Sequence, residues 1–438
     1  MAAFKTKPKV LSRMNDRKIV CVVLVLCFVI PGVVSAEPLQ TQTQGQDSGP
    51  RLVYINATSM YDYGWKVGGL FKTEYRLLMT VALGQTSHVK PHHHDTSLNA
   101  AQTSCLDEEL QGLADRLGTT QSQLRLLQDD LLSSVGDCTV IEATAPATVN
   151  HTTYLAQNFD TKLGTIKDWF FSTFLSRFGS WLFFIVRINT MKYRYAAIGL
   201  PILSEIPLIN EKGLCFGAPT TRFTTDPNRT KDFGPGIGTY ELERLTIMTC
   251  ANVNEAATLW ENTNRACEPG ASLQNKYDGS TPCFCDKAGG IVMIEQTHTH
   301  ILAVYGNSTT LTNAPLGILW HANHHQWLDD NLTGSIYPHD CPSSMLRAER
   351  SHQLLLDNYG NVSLKTISKI MRDCKGGTSP HGDSNDICRR PDRNGSYITA
   401  FSWVLEPTTL TLYLAHGIPQ TSVYWRRNFT SVFDPQNQ

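Results

Sequence analysis

A change of hydrophobic period at residue 136 constrains this chain more than any other feature. Before it, "LDEELQGLADRLG" and "QSQLRLLQDDLLSS" carry apolar residues at three- and four-residue steps, Leu124, Leu127 and Leu131 among them, as helices with one buried face do. Thr120 with Gln123 forms a capping box for the second of these helices. After it, "CTVIEA" and "TTYLAQNF" are strand-like runs joined by the turn-rich "TAPATVNH". Helical pieces recur at "YELERLTIMTCA" and "NEAATLWEN". Strands recur at "GGIVMIEQ", "HILAVYG", "YITAFSWVLE" and "TLTLYLAHG", the last two as a hairpin turned at Pro407. This order is α+β rather than regular βαβ alternation. Stretches 219–237, 268–282 and 375–396, rich in Gly, Pro, Ser and Asp, read as surface loops.

The first hairpin has its midpoint near Val149–Asn150. Antiparallel geometry then sets Cys138 opposite a residue close to Asp160, with Asn150 at the solvent-facing tip. A thiol at one strand's start thus meets a carboxylate at its partner's end. The thiol needs a base, because its unperturbed pKa is about 8.5. No histidine is near in sequence. The cysteine's own α-amine, with a free pKa of about 7.7–8.0, serves as that base if the bond between Asp137 and Cys138 is cut. On spacing alone, a disulfide or core role is the commoner fate of such a cysteine.

The surroundings are those of an exported protein. Lys5, Lys7, Lys9, Arg13, Arg17 and Lys18 precede the apolar run "IVCVVLVLCFVIPGVV", which Pro31 breaks and "VSA" ends. That is a signal peptide over 1–36 with cleavage after Ala36; the alternative is an uncleaved anchor helix. Residues 37–50 read as a flexible leader. The apolar stretch 169–186 is divided by Arg177 and Gly179, and reads as strands or a strand and turn rather than a membrane span. No stable span is expected once the signal is removed. Export fits eight N-x-Ser/Thr sequons, at Asn56, Asn150, Asn228, Asn307, Asn331, Asn361, Asn394 and Asn428. Of twelve cysteines, Cys21 and Cys27 lie in the signal, and disulfides are the default for the rest in an oxidising compartment. A net charge of −1 excludes nucleic acid as an expected partner.

Several histidine groups invite a metal reading. Three consecutive histidines in "HHHD" (92–95) rarely face one centre. His298 and His300, even with "CFC" (283–285), fit no standard zinc spacing. His321, His324 and His325 flank Asn323 and read as pocket walls. No metal or cofactor is expected.

Six segments share an order and spacing with a known family: "YGWKVGG" (63–69), "ELQGLADRLG" (109–118), "GDCT" (136–139), "LAQNFD" (155–160), "WHANHH" (320–325) and "DICRRP" (386–391). From about residue 60 to 420 the chain resembles the acyl-coenzyme A:6-aminopenicillanic acid acyltransferase family of N-terminal-nucleophile (Ntn) hydrolases, which includes the insect β-alanyl-dopamine hydrolases. Gln157 separates it from the bile-salt hydrolase and acid-ceramidase relatives, which place Arg there. The resemblance implies a four-layer αββα sandwich made as a precursor and cut between Asp137 and Cys138. A helical light chain (51–137 after the leader) would stay associated with a heavy chain of 138–438. It further implies Cys138 as nucleophile, Asp160 orienting the new α-amine, Asn323 donating to the oxyanion, and Arg389 neutralising Asp160 or a substrate carboxylate. Arg390 competes for that last role, because the family's His is Arg here. The implied reaction is hydrolysis of a small acylated amine through a thioester, in an extracellular or lysosomal setting. Coenzyme A-dependent N-acyl transfer and a catalytically silent secreted glycoprotein binding module are the alternatives.

Overall fold

The structure is a computed structural model that describes residues 51–83, 100–162, 182–223, 232–267, 277–333, 342–375, 385–390 and 397–434. The signal, the leader, "HHHD", and sequons Asn228 and Asn394 lie outside the described residues.

Alternating side chains along the strands build two stacked sheets. The strands are β1 (Arg51–Ala57), β2 (Val135–Ala143), β3 (Tyr154–Lys162), β4 (Leu182–Ile188), β5 (Tyr195–Leu200), β6 (Ser204–Asn210), β7 (Cys215–Gly217), β8 (Thr220–Arg222), β9 (Tyr277–Ser280), β10 (Cys283–Cys285), β11 (Ile291–Gln296), β12 (Ile301–Tyr305), β13 (Ile318–His321), β14 (Tyr397–Glu406), β15 (Thr411–His416) and β16 (Tyr424–Asn428). One sheet runs β1-β4-β5-β6-β7-β10-β11-β12 and the other β13-β2-β3-β14-β15-β16, with β8 and β9 paired apart. Cys138, Val140, Leu155 and Phe159 of the second sheet meet Phe183, Ile185, Ile198 and Met293 of the first in one buried core.

Helices cover both outer faces. They are α1 (Met60–Leu70), α2 (Lys72–Leu83), α3 (Ala100–Leu117), α4 (Gln121–Ser134), α5 (Thr239–Thr249), α6 (Val253–Glu261), α7 (Pro342–Asp357) and α8 (Leu364–Met371). Ile141, Ala143 and Ala156 pack against Ala348 and Leu355 of α7 and Ile367 and Ile370 of α8. On the far side α5 and α6 lie against β6 and β11. The layers are therefore αββα, as expected.

Two local differences from the sequence reading matter. The segment expected to be wholly helical opens with a strand, because β1 pairs parallel with β4 from Arg51↔Leu182 to Ala57↔Ile188. A single short strand has no turn signal or local partner to reveal it. Residues 385–390 are not surface loop: Asp386, Ile387, Cys388 and Arg389 are buried. The hairpin tip matches expectation, with Asn150 exposed at φ 57°. The capping box forms, Gln123 N–H donating to Thr120 Oγ1 at 3.2 Å and Thr120 N–H to Gln123 Oε1 at 3.2 Å.

The glycines of "YGWKVGG" and "ELQGLADRLG" have a packing cause. A Cβ on Gly64 would lie 1.9 Å from Glu109 O, and one on Gly112 would lie 2.1 Å from Tyr61 O. The backbones of α1 and α3 touch there. Gly112→Ala should lower stability by about 1–3 kcal/mol or more, since overpacking forces the backbones apart. Thermal unfolding reads this directly, and an unchanged Tm would mean that the helices part without cost. Beside this crossing Glu109 makes a forked pair with buried Arg244, whose Nε also lies 3.3 Å from Glu205 Oε2. Tyr63 Oη donates to Glu205 at 3.3 Å. Residues before position 138 are thus tied to residues after it by a buried ionic cluster as well as by β1.

Candidate active site

Two β-bulges meet at Asp160. In the β2–β3 pair, Val135 faces Thr161 and Cys138 faces Phe159, so Gly136 and Asp137 together oppose Asp160. In the β14–β3 pair, Thr399 faces Asp160 and Phe401 faces Phe159, leaving Ala400 as the extra residue. A bulge bends the strand and re-aims its side chains, which is why bulges gather beside active sites. The sequence set Cys138 opposite a residue near Asp160; it faces the neighbouring residue.

Cys138 is buried, and its N–H donates to Asn323 Oδ1 at 3.0 Å. Burial, followed by the nearby Asp160 carboxylate, pushes its thiol up to about 12, against hydrogen bonds from the Gln157 side chain and the Asp160 backbone. The thiol of the uncut chain is therefore protonated at neutral pH.

Asp160 accepts from Thr399 Oγ1 at 2.6 Å, and its Oδ2 lies 3.4 Å from Arg389 Nε. Burial raises its carboxyl to about 6, with Arg389, Arg347 and Thr399 holding it down. Arg389 Nη2 lies 2.7 Å from Asp137 Oδ2 and donates to Ser343 Oγ at 2.6 Å. Arg390, the competing candidate, instead lies 4.0 Å from Asp386.

Asn323 follows β13 on a loop fixed by Ser344, whose Oγ accepts the Asn323 N–H at 2.6 Å. Its side-chain orientation differs from the expected oxyanion donor. Nδ2 donates to Thr220 O at 2.7 Å, while Oδ1 accepts from Cys138 N–H and, at 2.7 Å, from Arg347 Nη2. A guanidinium can only donate, so Arg347 turns the carbonyl end toward the Cys138 nitrogen.

Two arginines at the site escaped the sequence reading. Arg347 Nη1 donates to Cys138 O and, at 3.0 Å, to Thr139 Oγ1, and its Nη2 lies 3.6 Å from Asp137 Oδ2. Arg222 pairs with Asp137 Oδ1, and its backbone N–H donates to Asn323 O at 3.0 Å. Burial alone would raise the Asp137 carboxyl, but Arg222, Arg389 and Arg347 hold it far below the usual range. The expected residues Asp137, Cys138, Asp160, Asn323 and Arg389 thus converge, joined by Arg222 and Arg347.

The histidines go elsewhere. His321 Nε2 lies 2.8 Å from Glu295, His324 Nδ1 2.7 Å from Ser344 Oγ and His325 Nδ1 3.2 Å from Thr333 Oγ1. Burial lowers His324 to about 3 and His325 to about 4. His298 packs on Gly234, His300 meets Asp232, and Cys283 and Cys285 lie in the inter-sheet core. Among the described residues no group of three or more His, Cys, Asp or Glu is arranged to hold a metal ion. No disulfide joins the described cysteines, although Cys215 and Cys285 face each other across β7 and β10 and Cys374 lies beside Cys388. Sequon residues Asn56, Asn150, Asn307, Asn331 and Asn361 are exposed. Asn428 is half-buried, and its Nδ2, the atom a glycan would occupy, donates to Thr409 O at 2.7 Å. Among the described residues no helix is long and apolar enough to cross a membrane.

Residues 148–415 match the family described as acyl-coenzyme A:6-aminopenicillanic acid acyl-transferase. The match begins after Cys138, so it covers the segments of Gln157, Asp160, Asn323 and Arg389 but not the cysteine itself. No curated protein matches the chain. Similar solved structures include a mutant conjugated bile acid hydrolase from Clostridium perfringens, at 12% identity over 69% of this chain and 94% of that one, with a TM-score of 0.40. Another is penicillin V acylase from Agrobacterium tumefaciens, at 13% identity over 67% of this chain and 86% of that one, with a TM-score of 0.38. Overlaps this loose carry no functional inference. The family match is of another kind, because it spans more than half of the sequence: the chain belongs to the acyl-coenzyme A:6-aminopenicillanic acid acyl-transferase family, as an α+β enzyme of amide hydrolysis or acyl transfer.

Proposed function

We propose that the chain is a cysteine Ntn amidohydrolase that cuts itself between Asp137 and Cys138 and then hydrolyses a linear N-acyl amide. The observation that carries this reading is the contact of Cys138 N–H with Asn323 Oδ1 at 3.0 Å, beside Asp160. Once the peptide bond is cut, that nitrogen is an α-amine already held by an acceptor. In self-cleavage the Cys138 thiol attacks the Asp137 carbonyl carbon and gives up its own proton as it does so. The C–S bond forms, the C–N bond breaks, and the nitrogen takes the proton. Water then releases the Asp137 carboxylate and regenerates the thiol. Turnover repeats the sequence on the substrate, with the α-amine as base and the amine of the substrate as leaving group.

The signal-peptide pattern over 1–36 and the exposed sequons support an exported enzyme, extracellular or lysosomal. The ionic cluster of Glu109, Arg244 and Glu205 supports light and heavy chains that stay together. Water in excess favours hydrolysis, whereas the family's description keeps acyl transfer as the second reading. Mass spectrometry of the processed enzyme with N-acyl p-nitroanilides tests this: an acyl thioester on Cys138 that decays to free acid is expected. A coenzyme A thioester that outcompetes every amide as donor would favour the transferase.

Asp160 gives this reading a pH signature. With its carboxyl near 6, self-cleavage of freshly refolded precursor should slow as pH falls through about 6, because the protonated acid no longer holds the emerging ammonium. Asp160→Asn should process slowly and lose that pH step. An unshifted profile in the mutant would remove Asp160 from the reaction.

A further inference from the structure

We infer that the arginines around Asp137 form the acyl subsite of the mature enzyme, and that this subsite takes an acyl group ending in a carboxylate, of succinyl type. The inference rests on Cys138 being the nucleophile. In self-cleavage the acyl group passed to Sγ is that of Asp137. A substrate's acyl group forms the same C–S bond, so its chain occupies the place of the residue 137 side chain. From scissile carbonyl to carboxylate, an aspartyl residue has the same number of carbons as a succinyl group.

That place is built for an anion. Arg389 Nη2 lies 2.7 Å and Arg347 Nη2 3.6 Å from Asp137 Oδ2, and Arg222 pairs with Oδ1. Arg347 and Arg389 side chains are 0% and 1% exposed, and Arg222 stands at the rim with 19%. Three guanidiniums converge on one carboxylate. When the cut chain end withdraws, they are left one anion short, and an uncompensated buried charge is costly. A substrate carboxylate restores the balance. A neutral chain desolvates the guanidiniums without return, and a chain ending in an ammonium is repelled.

Turnover balances without a co-reactant. The Cys138 thiol proton passes to the α-amine, Sγ displaces the leaving amine, which takes that proton, and water hydrolyses the thioester to succinate and thiol. Three p-nitroanilides test the assignment on the processed enzyme: succinyl, the neutral succinamoyl of the same length, and cationic β-alanyl, one atom shorter. The succinyl compound should exceed the succinamoyl one in kcat/KM by about tenfold or more, as a charge-assisted contact does, with β-alanyl slowest. In Arg222→Gln the succinyl-to-succinamoyl ratio, taken within one preparation, should fall several-fold. Equal rates for all three, or an unchanged ratio in the variant, overturn the acyl subsite and leave the hydrolase standing. Absence of any Cys138-dependent hydrolysis overturns both.

Discussion

Cys138→Ala should purify as one uncut chain without amide hydrolysis. The substitution removes the attacking sulfur and little else, because Cys138 sits in the inter-sheet core beside Val140, Leu155 and Phe159, where alanine is tolerated at the cost of a small cavity. Its N–H still donates to Asn323 Oδ1, so the bulge and arginine contacts keep their partners. The loss is therefore chemical rather than structural. Electrophoresis after deglycosylation reads it, and circular dichroism confirms the fold. Cleavage at 137/138 in this variant would mean that the bond is cut by another agent.

Asn323→Ala should lower both self-cleavage and turnover by about a hundredfold or more, the usual cost of losing one preorganised polar group at a reacting centre. Its geometry divides two roles that kinetics can separate. Oδ1 accepts from Cys138 N–H and Arg347, and Nδ2 donates to Thr220. Asn323→Asp keeps an acceptor for the nitrogen but removes the donor. If holding the Cys138 nitrogen is the main task, Asn323→Asp retains far more activity than Asn323→Ala. If donation to an oxyanion is the main task, requiring the side chain to swing from Thr220, the two variants fail alike. Wild-type rates in the purified alanine variant would remove Asn323 from the mechanism.

The hairpin was legible because its two strands keep a clean period and its turn is rich in turn formers. The bulge at Gly136–Asp137 was not, since an extra residue leaves no mark until the partner strand is known. Helix α7 was missed for a physical reason. Its inward face is largely polar, carrying Ser344, Arg347 and Ser351 beside Ala348 and Leu355, so the hydrophobic period that betrays a helix is weak. Arg347 went unseen with it. Arg222 stands in a short strand whose partner β9 is distant in sequence. The glycine motifs were readable as motifs, but their cause, backbone contact between α1 and α3, needed coordinates. The choice between Arg389 and Arg390 likewise turned on which guanidinium reaches Asp137 and Asp160.

Sequencing the N-terminus of the larger chain of purified, deglycosylated protein tests the central claim most directly. Two associated chains are expected, the larger beginning Cys-Thr-Val-Ile at Cys138. An intact chain, or one cut elsewhere, that hydrolyses amides at full rate would contradict that claim, because Cys138 would then lack the free α-amine on which its chemistry depends.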